Sequence, residues 1–227
     1  MNDTGGLDAG VAIAPQLYQL LRGRIVRTEL LPGEVISETE IARAYQVSRQ
    51  PVREAFIKLS EAGLVQIRPQ RGTMITRISH QAVMDARFVR EAIEADVVRM
   101  VAENCDGPIR AELQDQIAAQ KRMDDYDNDT FVRLDELFHR TLAEMAGNPY
   151  AWRVVEDVKA QMDRVRYLSV QKDHIRTLII QHARIVDAIC TNDVTGSEAA
   201  MRAHLREILK SLPEVEKARP ELFNTAR

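Results

Sequence analysis

Cysteine is scarce in this sequence: Cys105 and Cys190 are the only two in 227 residues. They are too few and too far apart in sequence to imply a disulfide framework, so both are expected as buried, reduced thiols. No apolar run approaches the ~20 residues that a membrane-spanning helix needs. The N-terminus has no charged-then-apolar leader. Together these point to a soluble, cytoplasmic protein with no membrane partner. No internal repeat or low-complexity tract is present, and a charged fraction of 29% beside 45% apolar residues argues against a disordered chain. The apolar content suffices for one or two cores.

The net charge of −3 is unevenly spread. Residues 15–79 carry 10 Lys/Arg against 6 Asp/Glu, whereas residues 80–227 carry 21 against 26. A basic front and an acidic back suggest that only the front meets a polyanion.

Residues 1–14, small and Gly-rich, are expected to form a flexible arm. Leu17, Leu20, Leu21, Ile25 and Val26 then recur at helical spacing over 15–30, ended by Pro32-Gly33. Ser37 with Glu40 forms a capping box for a short helix over 37–46. A third helix, 49–62, tolerates Pro51 in its first turn and stops at Gly63. Residues 64–67 and 73–76 read as a β-hairpin with a basic tip around Arg68 and Arg71. Beyond Ser79, read as a helix cap, no strand signal recurs. Six helices are expected, at about 80–103, 108–126, 129–146 (capped by Asp129), 150–170, 174–191 and 197–212, packed as an antiparallel bundle. The fold class is therefore mainly α: a winged helix-turn-helix over 15–78, then an all-α domain over 79–227.

The front suits DNA. Arg49 and Arg53 lie four apart and project from one face of the third helix, beside Gln50. Arg and Gln read guanine and adenine edges in a major groove, and a helix N-terminus suits a phosphate. Arg68 and Arg71 at the hairpin tip could reach a minor groove or a phosphate.

The runs PGE, VSRQPVREAF, L-x-x-AGLV and RPQRGT, in register over residues 15–78, resemble the GntR family of bacterial regulators. The resemblance implies that Ser48, Arg49, Gln50 and Arg53 occupy DNA-contacting positions of a recognition helix, and that Gly72 sits at the wing tip. Many relatives have an Arg where this chain has Thr39, so no DNA-contacting role passes to Thr39.

Only five histidines are present. His139, His182 and His204 each fall on the apolar face of a different expected helix, and Asp135 stands one turn before His139. A buried aspartate is costly unless paired or bound to metal. Three imidazoles and a carboxylate in a bundle core make an N/O site for a divalent transition metal: zinc first, nickel or manganese also possible. His80 and His174, near helix starts, are expected to face solvent. The segments R-x-x-I-E (Arg90 to Glu94), LDELFHRTLAEMAGNP (134–149), QHARIVDAI (181–189) and AAMRAHL (199–205) resemble the FCD effector domain of the FadR subfamily. That resemblance implies a metal on Asp135, His139, His182 and His204, with open positions for a small organic acid. The count of six helices suggests the VanR-like branch. Arg90, with Arg87 a turn earlier, is a candidate to hold the acid's carboxylate; the alternative for Arg90 is an ion pair with Glu94. The expected protein is a homodimeric regulator on an inverted-repeat operator, more often a repressor than an activator in the resembled family. The rivals are a regulator with a purely structural metal and, more remotely, a metal-dependent hydrolase.

Overall fold

Leu17, Leu21 and Ile25, spaced by four, line one buried face of α1 (Ile13–Val26). A computed structural model describes residues 7–8, 10–123, 127–169 and 172–224. The helix starts two residues before the expected position, so Ile13 and Ala14 belong to it rather than to the arm. Asp8 also folds back on the helix: its N–H donates to Gln16 Oε1 at 2.8 Å. Of the expected arm, residues 1–6 and 9 lie outside the described residues.

The capping box at Ser37 forms as expected. Ser37 Oγ accepts the Glu40 N–H at 3.1 Å, and Glu40 Oε2 accepts the Ser37 N–H at 3.2 Å, which starts α2 (Glu38–Ala44). A turn through Gln46, at φ +55°, leads to α3 (Arg49–Glu61). Val52, Phe56 and Leu59 of α3 pack with α1 and with Leu64 and Ile75 into the core of the winged unit. Its sheet has three strands rather than the expected two: β1 (Val35–Ile36), β2 (Val65–Arg68) and β3 (Gly72–Ile75), antiparallel in the order β1-β3-β2. The extra strand has two residues, too few for any alternation to show in sequence.

Gly72 opens β3 opposite Arg68 at φ +83°, and a Cβ there would come within 2.6 Å of Val35 Cγ1. Both the backbone angle and the approach of β1 therefore select glycine. Gly72→Ala is expected to destabilise the chain by about 1–2 kcal/mol, the cost of a left-handed L-residue. Urea unfolding measures this, and an unchanged midpoint would contradict the strain argument.

Helix α4 (His80–Glu103), capped by Ser79, forms the spine of the second unit and packs against α6, α7, α8, α9 and α10. Around it run α5 (Gly107–Lys121), α6 (Asn128–Met145), α7 (Pro149–Val158), α8 (Ala160–Ser169), α9 (Lys172–Cys190), α10 (Val194–Leu205) and α11 (Ile208–Ala218). Among the described residues this unit has eight helices, not six. The expected helix over 150–170 is interrupted at Lys159, and the expected one over 197–212 at Arg206-Glu207, where Leu209 and Lys210 make tighter i→i−3 bonds. Helix α11 also continues through Pro213 to Ala218. The count that suggested the VanR-like branch therefore does not hold. Asp127, not Asp129, caps α6 by accepting the Thr130 N–H at 2.8 Å. Residues 124–126, expected to end the second bundle helix, and residue 170 lie outside the described residues. Cys105 and Cys190 are free thiols but only half-buried. Burial, with Cys105 beside it, raises the Cys190 thiol pKa.

The two units are joined by more than a linker. Ile78, between them, pairs in parallel with Phe223 near the C-terminus. From α8, Ala160 enters the core of the winged unit, Gln161 Nε2 donates to Gly63 O at 2.7 Å, and Arg164 donates to Thr76 O at 2.9 Å. Arg164 is fully buried without an acidic partner, and burial lowers its pKa to about 10. On the same face, buried Asp163 pairs with Arg22 of α1 and with Lys159 Nζ at 2.8 Å.

Candidate nucleic-acid interface and metal centre

Ser48 precedes α3 with no side-chain cap bond, and Ser48, Arg49, Gln50 and Arg53 are all exposed. Both arginines reach back to one carboxylate, Glu38 of α2: Arg49 Nη2 at 2.9 Å and Arg53 Nε at 3.0 Å. These hydrogen bonds hold the Glu38 pKa below its ordinary value. Glu38 thus spans the helix-turn-helix and fixes two otherwise mobile guanidinium groups on one surface. Gln50 Nε2 donates to Glu54 at 3.0 Å. Arg68 and Arg71 are exposed at the wing, Gly72 is half-buried next to its tip opposite Arg68, and Thr39 is exposed on the first turn of α2.

The second constellation is buried. Asp135 and His139 lie on α6, His182 on α9 and His204 on α10, each at most 5% exposed. Their ligand atoms lie within 4.8 Å of one another. His204 Nε2 stands 3.3 Å from both His139 Nε2 and His182 Nε2, and Asp135 Oδ1 is 3.5 Å from His182 Nε2.

What faces outward explains why the Nε2 atoms face inward. His182 Nδ1 meets Gln120 Oε1 at 2.8 Å, and His204 Nδ1 meets Gln181 Oε1 at 3.0 Å. His139 Nδ1 lies against Glu94 Oε2, while Glu94 Oε1 accepts from Arg90 Nε at 2.6 Å. An amide or carboxylate oxygen can only accept, so each Nδ1 carries the proton and each Nε2 keeps a lone pair. Burial, only partly opposed by Asp135, lowers the His182 pKa to about 3, and burial with the neighbouring imidazoles holds that of His204 well below its ordinary value. Burial works to raise the Asp135 pKa, but Arg166, His139 and His182 overcome it and keep the group well below the usual carboxylate range. Likewise Arg90 and His139 hold Glu94 at about 2 against its burial.

Burial keeps His182 and His204 neutral, and with His139 Nε2 and the Asp135 carboxylate they offer the donor atoms a metal requires. Two nitrogens each ~2.0–2.1 Å from a tetrahedral ion would stand about 3.3 Å apart, the separation found here. Three converging lone pairs repel one another with nothing between them. The residues therefore fit a divalent ion.

Beside His204 lies a cavity of only about 20 Å³, lined by Arg90, Arg166, His174 and Glu207 among others. Arg90 pairs with Glu94, the alternative weighed from the sequence, and it also lines this cavity. Arg87 instead bonds Glu91 on its own helix at 2.5 Å and is not among the residues lining the cavity. His80 is exposed as expected, but His174 is half-buried against the cavity rather than solvent-facing, because its position on α9 turns it towards α11.

Sequence reading missed Glu38, Gln120, Gln181 and Arg166, and took Glu94 as a partner of Arg90 but not of His139. Gln181, adjacent to His182, and Glu94, four residues after Arg90, carried a local signal. Gln120 and Arg166 come from distant segments with no spacing that ties them to the cluster.

Comparison with known proteins agrees with this geometry. Residues 13–75 match the family described as bacterial regulatory proteins, gntR family, and residues 85–207 match the FCD domain. The chain is 40% identical over 218 residues to the HTH-type transcriptional repressor RspR of Escherichia coli K12, covering 92% of each protein. It is 29% identical to the HTH-type transcriptional repressor NanR of Edwardsiella tarda, over 88% of this chain and 83% of that one. The solved structure of E. coli McbR/YncC shares the fold with a TM-score of 0.74 at 18% identity, over 90% of this chain and 98% of that one. No helix among the described residues is long and apolar enough to cross a membrane. The chain belongs to the gntR family of bacterial regulatory proteins, with an FCD domain as its helical unit, and is a DNA-binding transcription regulator rather than an enzyme.

Proposed function

We propose that the chain is a transcriptional repressor whose grip on an operator is set by a small carboxylate bound at a divalent metal, zinc in the first instance. The observation that carries this reading is the convergence of three Nε2 lone pairs on the Asp135 carboxylate, each imidazole locked by an outer oxygen. Nickel or manganese would also accept this donor set. When bound, the ion supplies a Lewis-acidic anchor for a carboxylate.

The chain's own residues supply the rest. Arg90 and Arg166 give the adjoining cavity a cationic wall suited to a carboxylate. Arg166 also pairs with Asp135 and approaches Asp163, which holds Arg22 of α1. Contacts thus run unbroken from the metal centre to the winged unit. Repression is supported by the names of RspR and NanR. Ser48, Arg49, Gln50 and Arg53 would read the major groove, with Arg71 and Gly72 at the wing. A homodimer would place two wings on an inverted repeat, and Phe88 of α4, 66% exposed, offers an apolar surface for pairing.

The tightness of the 20 Å³ cavity favours a second reading, in which the metal is purely structural. For the first reading to hold, the acid must open the bundle as it binds. That coupling is also what a switch needs.

The test has two parts. On an operator fragment obtained by binding-site selection, Arg49→Ala with Arg53→Ala is expected to weaken binding by at least about tenfold, each base-edge arginine contributing ~1–3 kcal/mol. The helical content should stay unchanged. Metal-loaded chain is then challenged with di-, hydroxy- and aromatic acids. Release of DNA and a raised melting temperature with one of them support the sensor, and a flat response across all of them leaves the structural-metal reading.

A further inference from the structure

A cavity of about 270 Å³ lies between α1 of the winged unit and α6, α8 and α9 of the helical unit. It adjoins the small space beside His204, and Arg166 and Leu178 line both. Four guanidinium groups line it: Arg22, Arg27, Arg133 and Arg166. Three acids also line it. Asp129 adds a negative charge that acts on Arg27. Asp163 serves Arg22 and Lys159, and Glu136 accepts from Lys159 Nζ at 2.5 Å. Arg22 is the informative residue. It is 8% exposed, its Nη2 is taken by Asp163, and its Nε has no hydrogen-bond partner. A buried donor left unpaired is costly, and a carboxylate oxygen placed in the cavity removes that cost. Val26, Phe131, Val132 and Leu178 give part of the remaining wall an apolar surface. A few polar groups set against an apolar wall are what a small-molecule site requires.

We propose that this interdomain cavity binds a small monocarboxylate with an aromatic or branched aliphatic body, and that its occupation clamps the winged unit onto the helical unit. The occupant touches both units at once, so it binds the docked arrangement better than an undocked one. By linkage, the factor by which the occupant changes DNA affinity is also the factor by which DNA changes the occupant's affinity. The site stands apart from the metal centre: Arg166 lies between them, with Asp135 on one side and the cavity on the other.

The test is calorimetric titration of the full chain, freed of divalent metal by a chelator, with benzoate and with isovalerate. At least one probe is expected to bind. Val132→Trp, which fills the cavity from α6, and Arg22→Gln are each expected to weaken that binding by about tenfold or more. His204→Ala is expected to leave it unchanged. Because Arg22→Gln can also loosen the fold, Val132→Trp, with its circular dichroism checked, decides the matter. The proposal is overturned if neither probe binds, if binding survives Val132→Trp, or if His204→Ala abolishes it, which would place the probe at the imidazole cluster instead.

Discussion

Asp163→Leu is expected to lower stability by about 3–5 kcal/mol, the usual cost of removing one partner from a buried ion pair. The reason lies in how many cations depend on this carboxylate. Asp163 accepts from Arg22 and from Lys159, and Arg166 lies 4.0 Å away. Lys159 keeps Glu136 and Arg166 keeps Asp135, but Arg22 is left buried with no acid. Arg22 belongs to the winged unit and Asp163 to the helical unit, so the loss falls on the docking of one against the other. Denaturant unfolding should therefore show a lower midpoint and a broader or split transition, and proteolysis should become faster near residues 76–79. The double variant Arg22→Met with Asp163→Leu removes both charges and is expected to recover a large part of the loss, since a buried pair replaced by apolar groups is often neutral. A single-variant loss below about 1 kcal/mol would show that Arg22 reaches solvent once its partner is gone.

What was legible in the sequence divides along physical lines. The winged unit was readable because its punctuation is local: a capping box at Ser37, Pro51 in a first turn, Gly63 as a stop, and a recognition-helix run in one piece. The cluster of Asp135, His139, His182 and His204 was readable because histidine is rare here and three of five fall on apolar helix faces. Three kinds of feature were not readable. The two-residue β1 is too short to show a period. The break at Lys159 has neither Pro nor Gly to mark it; it is a near-helical residue whose ammonium is drawn to Glu136 and Asp163. The outer partners of the imidazoles depend on tertiary convergence: Gln120 meets His182 across 62 positions, and no helical spacing encodes that. The effector candidates separated for the same reason. Arg87 and Arg90 look alike in sequence, yet the structure commits Arg87 to Glu91 and turns Arg90 towards His204.

The imidazole cluster makes the metal-free chain acid-sensitive. In the unfolded chain His182 takes a proton near its ordinary pKa of 6.5, whereas in the folded chain burial holds it neutral down to about 3. Between those values the unfolded state binds more protons, so stability falls as pH falls through this window. His204 shifts in the same direction, and the two slopes add. Glu94, held at about 2 against an ordinary 4.5, extends the loss at the acid end, because its stabilising charge is given up only as pH drops below the unfolded value. A proton bound by one state only is worth ~1.4 kcal/mol per pH unit. Each unit below pH 6.5 therefore removes a sizeable part of the roughly 5–15 kcal/mol that a folded domain has. The chelator-treated protein is expected to lose its native transition well above pH 4, while His182→Asn, which cannot take up the proton, shows a slope shallower by about one proton. Loading with zinc should shift the whole curve to lower pH, because an ion on the Nε2 atoms competes with protons for the same lone pairs. Melting temperatures measured across pH 4–7, with and without zinc, read all three effects. Equal slopes for wild type and His182→Asn would mean that acid unfolding begins elsewhere in the molecule.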